Sequence, residues 1–372
     1  MSSRRDFLKI GVAAGAAFCA GSAASCASPS AGAPAAASEG QGRLQVAGYP
    51  FDRVRGLGDG RVGIDGYDTE FVRADIYKLN GTAMGGAQTF EVQEIGLHPY
   101  MLAFANDGFR DYTLIPVFPL RTFRHKSIFV RTDRGIEKPE DLRGKTVAVA
   151  GYSQSSLTWI RGFLQHEYGV HARDLKWIVS QKSSDKGNVS KNESLLPEGI
   201  PVSKGPEGRD ESELLVRGDV DAVLSAKEPQ AYIDGDPRVA RLFADYRSVE
   251  RDYYKRTGIF PIMHAVAVRK DAIEKDPGLP RAAFEAYSRA KAANYKFMKD
   301  LGWAMISLPW FAQELEETRA LMGENFWPYG IAENRAALEA LFQYSNEQGL
   351  SKRRLTIEEL FHPSTLELQE PA

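Results

Sequence analysis

Short apolar runs alternate with amphipathic stretches of helical length up to residue 268. Runs typical of buried strands cover residues 44–49, 69–73, 112–117, 127–131, 146–150, 177–180, 221–225 and 259–268. Helices are predicted between those runs at residues 85–94, 155–168 and 211–217. Because strands alternate with helices, the pattern predicts an α/β fold with mostly parallel sheets.

The pattern becomes helical after residue 268. Helices are predicted at residues 279–300, 310–322, 333–348 and 356–361. Two α/β halves joined by extended crossovers, with a C-terminal helical segment, resemble the type II periplasmic-binding-protein fold, in which ligand lies in a cleft between two lobes. We predict a first lobe of residues 43–130 plus 260–372 and a second lobe of residues 131–259.

Composition narrows the function classes. A chain of 372 residues is long enough for two domains, and 43% hydrophobic with 26% charged residues is the balance of a soluble globular protein. The net charge of -2 argues against a nucleic-acid-binding protein. Cys19 and Cys26 are the two cysteines of the chain. The body after Cys26 therefore has no disulfide, cysteine-ligated metal or cysteine nucleophile.

The first 42 residues are predicted to be an export signal and a tether. Arg4 and Arg5 precede an apolar stretch of about 15 residues, which is too short to span a bilayer and is typical of a twin-arginine signal ending near residue 26. Residues 23–26 resemble a lipobox, so lipidation of Cys26 and ordinary cleavage both stay open. Residues 27–42 form a flexible linker. The predicted location is the periplasm or the outer face of the membrane, with membrane contact only through a lipid on Cys26.

Two segments carry groups suited to an organic anion. Gln154, Ser155 and Ser156 follow a predicted strand and open a predicted helix, where free N–H groups and hydroxyls bind carboxylate or phosphate. The alternative is a plain serine N-cap. Arg121 and Arg124 follow another strand and suit bidentate carboxylate recognition, unless the segment is a solvated basic loop.

Further candidates are histidines, a carboxylate and aromatic rings. His125 and His264 are candidate general acids, with Glu94 as a partner. For His264, a satisfied core histidine is the alternative. Candidate ligand contacts elsewhere are Tyr49, Arg53, Phe123 and Trp159. Here the alternatives are core packing for the aromatic residues and an exposed ion pair with Asp52 for Arg53.

Several common motifs are absent from the sequence. It contains no H-E-x-x-H metal motif, no G-x-S-x-G nucleophile motif and no phosphate-binding P-loop. We therefore expect no metal and no cofactor.

Eight segments in order resemble the 4,5-dihydroxyphthalate decarboxylase family. They are Y-P-F-D-R-V-R (49–55), I-P-V-F-P-L-R-T-F-R-H (115–125), G-I-E-K-P-E-D-L-R-G-K-T-V-A-V (135–149), W-I-R-G-F-L-Q-H-E-Y-G-V (159–170), R-L-F-A-D-Y (241–246), R-T-G-I-F-P-I-M-H (256–264), W-P-Y-G-I-A-E-N-R (327–335) and L-T-I-E-E-L-F-H-P (355–363). The resemblance implies a type II periplasmic-binding-protein fold and decarboxylation of an aromatic dicarboxylate.

The chain also departs from that family. It carries an export signal, whereas the family's activity belongs to cytoplasmic aromatic degradation. The loop at 182–206 is longer and more polar, and E-I-G-L-H-P-Y (94–100) replaces a serine-rich version. Contacts to ligand are therefore expected to differ.

Two functions follow from these observations. The first is an exported solute-binding protein that captures a small organic anion, in particular an aromatic carboxylate, and delivers it to a membrane permease. Arg121, Arg124 and the serines 155 and 156 would hold the carboxylate. The alternative is a carboxy-lyase of the 4,5-dihydroxyphthalate decarboxylase type, with His125 or His264 as the acid.

Overall fold

The computed structural model describes residues 43–182 and 195–371. The predicted export signal, the linker, Cys26 and residues 183–194 of the polar loop lie outside the described residues. In the described part of the chain, no helix has the length and apolar character that crossing a membrane requires.

The strands and helices alternate up to β11, and helices then continue to the C-terminus. The strands are β1 (Leu44–Gly48), β2 (Thr69–Arg73), β3 (Val92–Gly96), β4 (Tyr112–Arg121), β5 (Ile128–Arg131), β6 (Thr146–Val149), β7 (Lys176–Val179), β8 (Val202–Lys204), β9 (Ala222–Leu224), β10 (Val239–Arg241) and β11 (Ile262–Arg269). The helices are α1 (Arg55–Gly58), α2 (Ile76–Met84), α3 (Leu97–Asn106), α4 (Ser155–Tyr168), α5 (Glu211–Arg217), α6 (Gln230–Ile233), α7 (Tyr246–Thr257), α8 (Lys270–Lys275), α9 (Leu279–Phe297), α10 (Trp303–Met305), α11 (Phe311–Met322), α12 (Arg335–Glu347) and α13 (Ile357–Leu360).

The strands form two mixed sheets. The first has the order β2-β1-β3-β11-β4, and the second has the order β10-β5-β9-β6-β7-β8. In the first sheet β1 runs parallel to β2 and β3, whereas β11 runs antiparallel to β3 and β4. In the second sheet β6 is parallel to its neighbours and β5 is antiparallel to its own. The two sheets therefore contain more antiparallel strand pairs than the alternation predicted. Each antiparallel pair involves β5 or β11, the strands that come after the two crossings of the chain between the sheets.

The chain changes sheet twice. It leaves the first sheet at the end of β4 and enters the second at β5, then returns through α7 to β11. The predicted lobe boundary at residue 130 falls inside β5, and the boundary at residue 260 falls just before β11.

Strand β4 is longer than the sequence pattern predicts. The pattern predicts an end near Val117 because Pro116 and Pro119 lie on either side of it, yet the strand continues to Arg121. Proline lacks the N–H of a sheet ladder and is tolerated on edge strands, and β4 lies at the edge of its sheet beside β11. The extension carries Leu120 to the end of the sheet that faces the cavity described below.

The predicted helix at residues 85–94 is wrong. The helix lies earlier, as α2, where the Asp75 carboxylate caps it by accepting a hydrogen bond from the Lys78 N–H at 2.9 Å. Residues 92–96 instead form β3, a central strand buried along its whole length. A strand buried on both faces shows no alternation of polar and apolar residues, so its sequence does not differ visibly from a buried helix.

Helix α4 has the predicted bounds and joins two hydrophobic cores. It ends at Tyr168 and is followed by Gly169, whose φ of 63° is the left-handed conformation that favours glycine. Leu157 and Ile160 pack in the core of the second sheet, whereas Trp159 packs in a core formed by the first sheet and α12. Helix α4 therefore contributes side chains to the cores of both sheets.

Candidate functional site

A cavity of about 270 Å³ lies where elements of both sheets meet. The first sheet supplies the residues that follow β1 and begin β11, and the second supplies the start of α4 and the loop after β9. The polar lining residues are Tyr49, Tyr77, Arg124, Gln154, Ser155, Ser156, Lys227 and His264. A larger cavity of about 500 Å³ shares Ala226 and Lys227 with it but lies on the second sheet's side. The smaller cavity is the candidate site because it collects the histidine, the arginine and the helix N-terminus.

The N-terminus of α4 faces this cavity. Gln154 is the N-cap residue, and its carbonyl accepts hydrogen bonds from Leu157 N at 3.1 Å and Thr158 N at 3.0 Å. The backbone N–H groups of Ser155 and Ser156 donate to no acceptor among the described residues. Free N–H groups at the positive end of a 14-residue helix favour an anion.

Arg124 brings a buried cation to the same cavity. Arg124 is only 7% exposed, and its Nη1 donates a hydrogen bond to the Ala226 carbonyl at 2.8 Å. Nε is buried and has no hydrogen-bond partner in the described residues. Burial lowers the pKa of Arg124 to about 10, and the charge of Glu250 opposes that shift. The guanidinium therefore stays charged at neutral pH and retains an unused donor.

Glu94 and His264 form a hydrogen-bonded pair at the wall of the cavity. His264 Nδ1 lies 2.5 Å from Glu94 Oε1, and Glu94 Oε2 accepts a hydrogen bond from Tyr49 N at 3.0 Å. Glu94 is 1% exposed, so its carboxylate serves these two donors rather than solvent or ligand. Nε2 of His264 has no hydrogen-bond partner in the described residues, and His264 lines the cavity.

Flat rings lie beside this pair. The Tyr49 ring is stacked with Phe51 at a centroid distance of 5.3 Å and with His264 at 6.2 Å. The Tyr49 hydroxyl accepts a hydrogen bond from Ile76 N at 2.8 Å, which fixes the ring. Tyr49 and Phe51 both line the cavity, so one wall suits a planar aromatic ligand.

Arg53 and Arg121 are not among the residues that line the cavity. Arg53 lies between the Phe51 ring at 4.3 Å and the Trp327 ring at 3.9 Å, and its Nε donates to the Pro119 carbonyl at 2.6 Å. Arg121 donates to the carbonyls of Phe260 and Pro328. Burial lowers the pKa of Arg121 to about 9. These two arginines support the chain around the site.

Three other predicted site residues lie in hydrophobic surroundings. His125 stacks on Phe163 at a centroid distance of 4.2 Å and also contacts Phe243 and Tyr253. Phe123 stacks on Phe260 at 4.7 Å. Trp159 is fully buried and donates from Nε1 to the Ile262 carbonyl at 2.9 Å. The structure places none of the three in the cavity lining.

The cavity also contains residues that the sequence reasoning missed. Lys227 follows the carboxyl end of β9, the position where α/β folds place ligand contacts, so a search of strand ends would have found it. Tyr77 lies in α2, whose position was mispredicted. Phe51 was recognised only as part of the segment 49–55.

No arrangement of three or more His, Cys, Asp or Glu side chains suited to a metal ion occurs in the ranges 43–182 and 195–371.

Comparison with characterised sequences relates this chain to enzymes. It is 39% identical over 325 residues to the 4,5-dihydroxyphthalate decarboxylase of Comamonas testosteroni, a match that covers 87% of this chain and 98% of that protein. It is 35% identical over 212 residues to the 4,5-dihydroxyphthalate decarboxylase of Pseudomonas putida, covering 57% of this chain and 81% of that protein. No family model matches the chain.

Comparison with solved structures relates the fold to binding proteins. The periplasmic sulfonate-binding protein SsuA of Methylobacillus flagellatus KT superposes with a TM-score of 0.54 over 87% of this chain and 92% of that one. The two sequences are 12% identical, so the likeness concerns the fold alone. It confirms the predicted two-lobe, periplasmic-binding-protein fold.

Proposed function

The chain belongs to the 4,5-dihydroxyphthalate decarboxylase family, and from that premise we propose that it is a carboxy-lyase acting on a hydroxylated aromatic dicarboxylate. The main support for this proposal is the set of side chains and N–H groups that line one cavity. It holds an unpaired arginine donor and a helix N-terminus, which suit a carboxylate, together with a histidine oriented by a buried carboxylate.

Arg124 and the start of α4 are assigned to the carboxylate that the product keeps. The buried Nε of Arg124 and the free N–H groups of Ser155 and Ser156 are all hydrogen-bond donors. A carboxylate has two oxygens and accepts several such bonds, and a charged donor with a charged acceptor gives the stronger bonds of this kind. Binding of this carboxylate by the three donors holds the ring in place while the other carboxylate departs.

His264 is assigned as the acid that replaces CO2 by a proton. Its Nδ1 is bonded to Glu94, which leaves Nε2 as the nitrogen without a partner in the described residues, and the role of acid assigns the transferred proton to Nε2. The proton passes from Nε2 to the ring carbon that bears the leaving carboxylate, and the bond to that carboxylate then breaks. The bonding electrons return to the ring, CO2 leaves, and solvent reprotonates His264. A ring hydroxyl supplies the electron density that makes the carbon basic.

Glu94 is a positioning residue in this scheme. One of its oxygens is bonded to His264 and the other to the Tyr49 N–H. The carboxylate therefore stabilises the imidazolium and fixes its ring without itself reaching a ligand.

Buried contacts across the two sheets support a site that is formed before ligand arrives. Trp159 of α4 donates to the Ile262 carbonyl of β11, and Arg161 of α4 donates to Gln348, which follows α12, at 2.8 Å. Both bonds join the first two turns of α4 to elements packed on the first sheet's side of the cavity.

An exported solute-binding protein is the second candidate function. The fold shared with a sulfonate-binding protein favours it, and the twin-arginine signal predicted from the sequence favours a periplasmic location. In this candidate the same donors, Arg124, Ser155 and Ser156, hold an aromatic carboxylate for transfer to a permease.

Product analysis separates the two candidates. The purified chain is mixed with 4,5-dihydroxyphthalate, and both thermal stabilisation and CO2 release are measured. The carboxy-lyase proposal expects stabilisation with stoichiometric CO2 and loss of one carboxyl group from the ligand. Stabilisation with an unchanged ligand contradicts it and supports the binding protein. No stabilisation by any aromatic carboxylate contradicts both.

A further inference from the structure

His98 links the first sheet's side of the molecule to the loop that carries the carboxylate donors. It is the second residue of α3, the helix that follows β3 directly, and it is fully buried. Its backbone N–H donates to Ser155 Oγ at 3.2 Å, and its Nδ1 lies 2.7 Å from the Ser153 carbonyl oxygen. His98 thus contacts the chain on both sides of Gln154, the N-cap of α4.

The contacts of the ring fix its tautomer. A carbonyl oxygen only accepts, so Nδ1 carries the hydrogen and donates to Ser153. Nε2 is then an acceptor for the Ser345 hydroxyl, which lies 2.9 Å away on α12. Burial lowers the pKa of His98 to about 4, so the ring is neutral at physiological pH. A neutral histidine adds no charge to the anion site and acts only through the bonds that it makes.

We propose that His98 is the positioning residue that keeps the N–H groups at the start of α4 directed at the substrate carboxylate, an inference that rests on the proposed function. Ser155 and Ser156 provide donors only if the first turn of α4 is held against the cavity. The bond from His98 Nδ1 to the Ser153 carbonyl is the shortest contact that His98 makes with this turn. Nδ1 also lies 3.3 Å from Thr158 Oγ1, and the backbone bond from His98 to Ser155 Oγ does not depend on the side chain. The Nε2 contact to Ser345 points away from the loop and serves packing.

The two nitrogens are tested separately by amide replacements. An asparagine amide nitrogen reaches the position of Nδ1, so His98→Asn keeps the donor to Ser153. A glutamine amide nitrogen reaches the position of Nε2, so His98→Gln keeps a group near Ser345 and loses the Ser153 bond. His98→Ala loses both, and Ser345→Ala is the matched control that removes only the partner of Nε2.

The first readout is amide hydrogen exchange of Leu157 and Thr158, whose N–H groups are bonded to the Gln154 carbonyl. It needs no ligand and is compared with exchange in β11 to separate local from global opening. We expect exchange at least about tenfold faster in His98→Ala and His98→Gln, and wild-type exchange in His98→Asn and Ser345→Ala.

The second readout is the Kd for phthalate, an aromatic dicarboxylate without the ring hydroxyls that the proposed decarboxylation needs, measured by calorimetry. The Kd is expected to rise about tenfold in His98→Ala and His98→Gln and to stay within about twofold of wild type in the other two variants. His98→Asn behaving like His98→Ala in exchange overturns the proposal. If wild type binds no aromatic carboxylate, the proposed function fails, while the exchange result still decides whether His98 holds the loop.

Discussion

His264 Nδ1 lies 2.5 Å from Glu94 Oε1 in a pair that spans two neighbouring strands of the first sheet. Glu94 lies in β3 and His264 in β11, and the antiparallel register of these strands brings the two residues together although 170 positions separate them. The pair is buried on the Glu94 side and borders the cavity on the His264 side. This geometry fixes which nitrogen of His264 is left for chemistry.

Replacing His264 separates proton donation from binding. His264→Asn keeps an amide donor for Glu94 but no group that transfers a proton, so kcat for CO2 release is expected to fall at least about 100-fold. The Kd for 4,5-dihydroxyphthalate is expected to stay within about threefold, because the carboxylate donors are intact. His125→Asn provides the comparison: a larger loss of kcat there than in His264→Asn would move the acid to His125.

Glu94→Gln tests whether the charge of Glu94 supports the role of His264 as the acid. The amide keeps the size of the carboxylate and an acceptor for the Tyr49 N–H, but it no longer stabilises an imidazolium on His264. We expect kcat to fall by roughly 10- to 100-fold with an unchanged Tm. Steady-state CO2 release and thermal denaturation measure the two quantities, and wild-type kcat in this variant would contradict the role given to Glu94.

Arg124 is predicted to carry most of the affinity for the carboxylate. Arg124→Gln removes the charge and the unused Nε donor, so the Kd for phthalate, which lacks the ring hydroxyls that the proposed decarboxylation needs, should rise roughly 10- to 100-fold. Arg143→Gln is the matched control, because Arg143 is exposed and bonds only to carbonyls at the end of α4. Equal affinities of the two variants by calorimetry would rule out the assignment.

His125 is predicted to make the fold sensitive to acid. Burial lowers the pKa of His125 from 6.5 to about 4. Between pH 6.5 and pH 4 this histidine therefore binds a proton in the unfolded chain but not in the folded chain. The stability penalty is absent above pH 6.5, grows as the pH falls, and is complete below pH 4. At pH 5 it is on the order of 2 kcal/mol.

His125→Phe removes this penalty and keeps a ring against Phe163. Denaturant unfolding at pH 7.5 and pH 5 is therefore expected to show a smaller loss of stability on acidification than in wild type. His171→Phe, at a half-exposed position, is the control and should follow wild type. An unchanged difference between the two pH values in His125→Phe would contradict the prediction.

A substitution at Gly162 tests the close packing of α4 against α12. A Cβ atom there would lie 2.0 Å from Tyr344 Cδ2, so Gly162→Ala forces α4 away from α12. We expect a loss of about 1–3 kcal/mol in the free energy of unfolding. Tyr344→Ala in the same background relieves the clash, and the double variant should recover part of the loss. Additive losses in a double-mutant cycle would contradict direct contact.

Local signals in the sequence were sufficient for α4 and α5. Each begins after polar residues and is followed by a glycine with positive φ, Gly169 and Gly218. Such signals act within a few residues and do not depend on the rest of the fold. The fully buried β3 had no comparable signal, and the sequence therefore placed a helix across residues that belong to a loop and a strand.

The site was predicted only in part for a related reason. Arg121 and Arg124 are three residues apart, and only the geometry at the end of β4 shows that Arg124 lines the cavity while Arg121 is bound to carbonyls. Likewise, His125 and His264 both follow or lie in apolar segments. The pairing of β3 with β11 distinguishes them, because it supplies Glu94 to His264.

Decarboxylation by this chain is tested most directly by incubating 4,5-dihydroxyphthalate with the purified chain in D2O and following it by NMR and CO2 analysis. We expect one equivalent of CO2 and a monocarboxylate product with deuterium at the ring carbon that lost the carboxylate, with the rate strongly reduced in His264→Asn. A ligand that binds with Arg124-dependent affinity and is recovered unchanged, without ring deuterium at that carbon, would contradict decarboxylation and leave a binding protein.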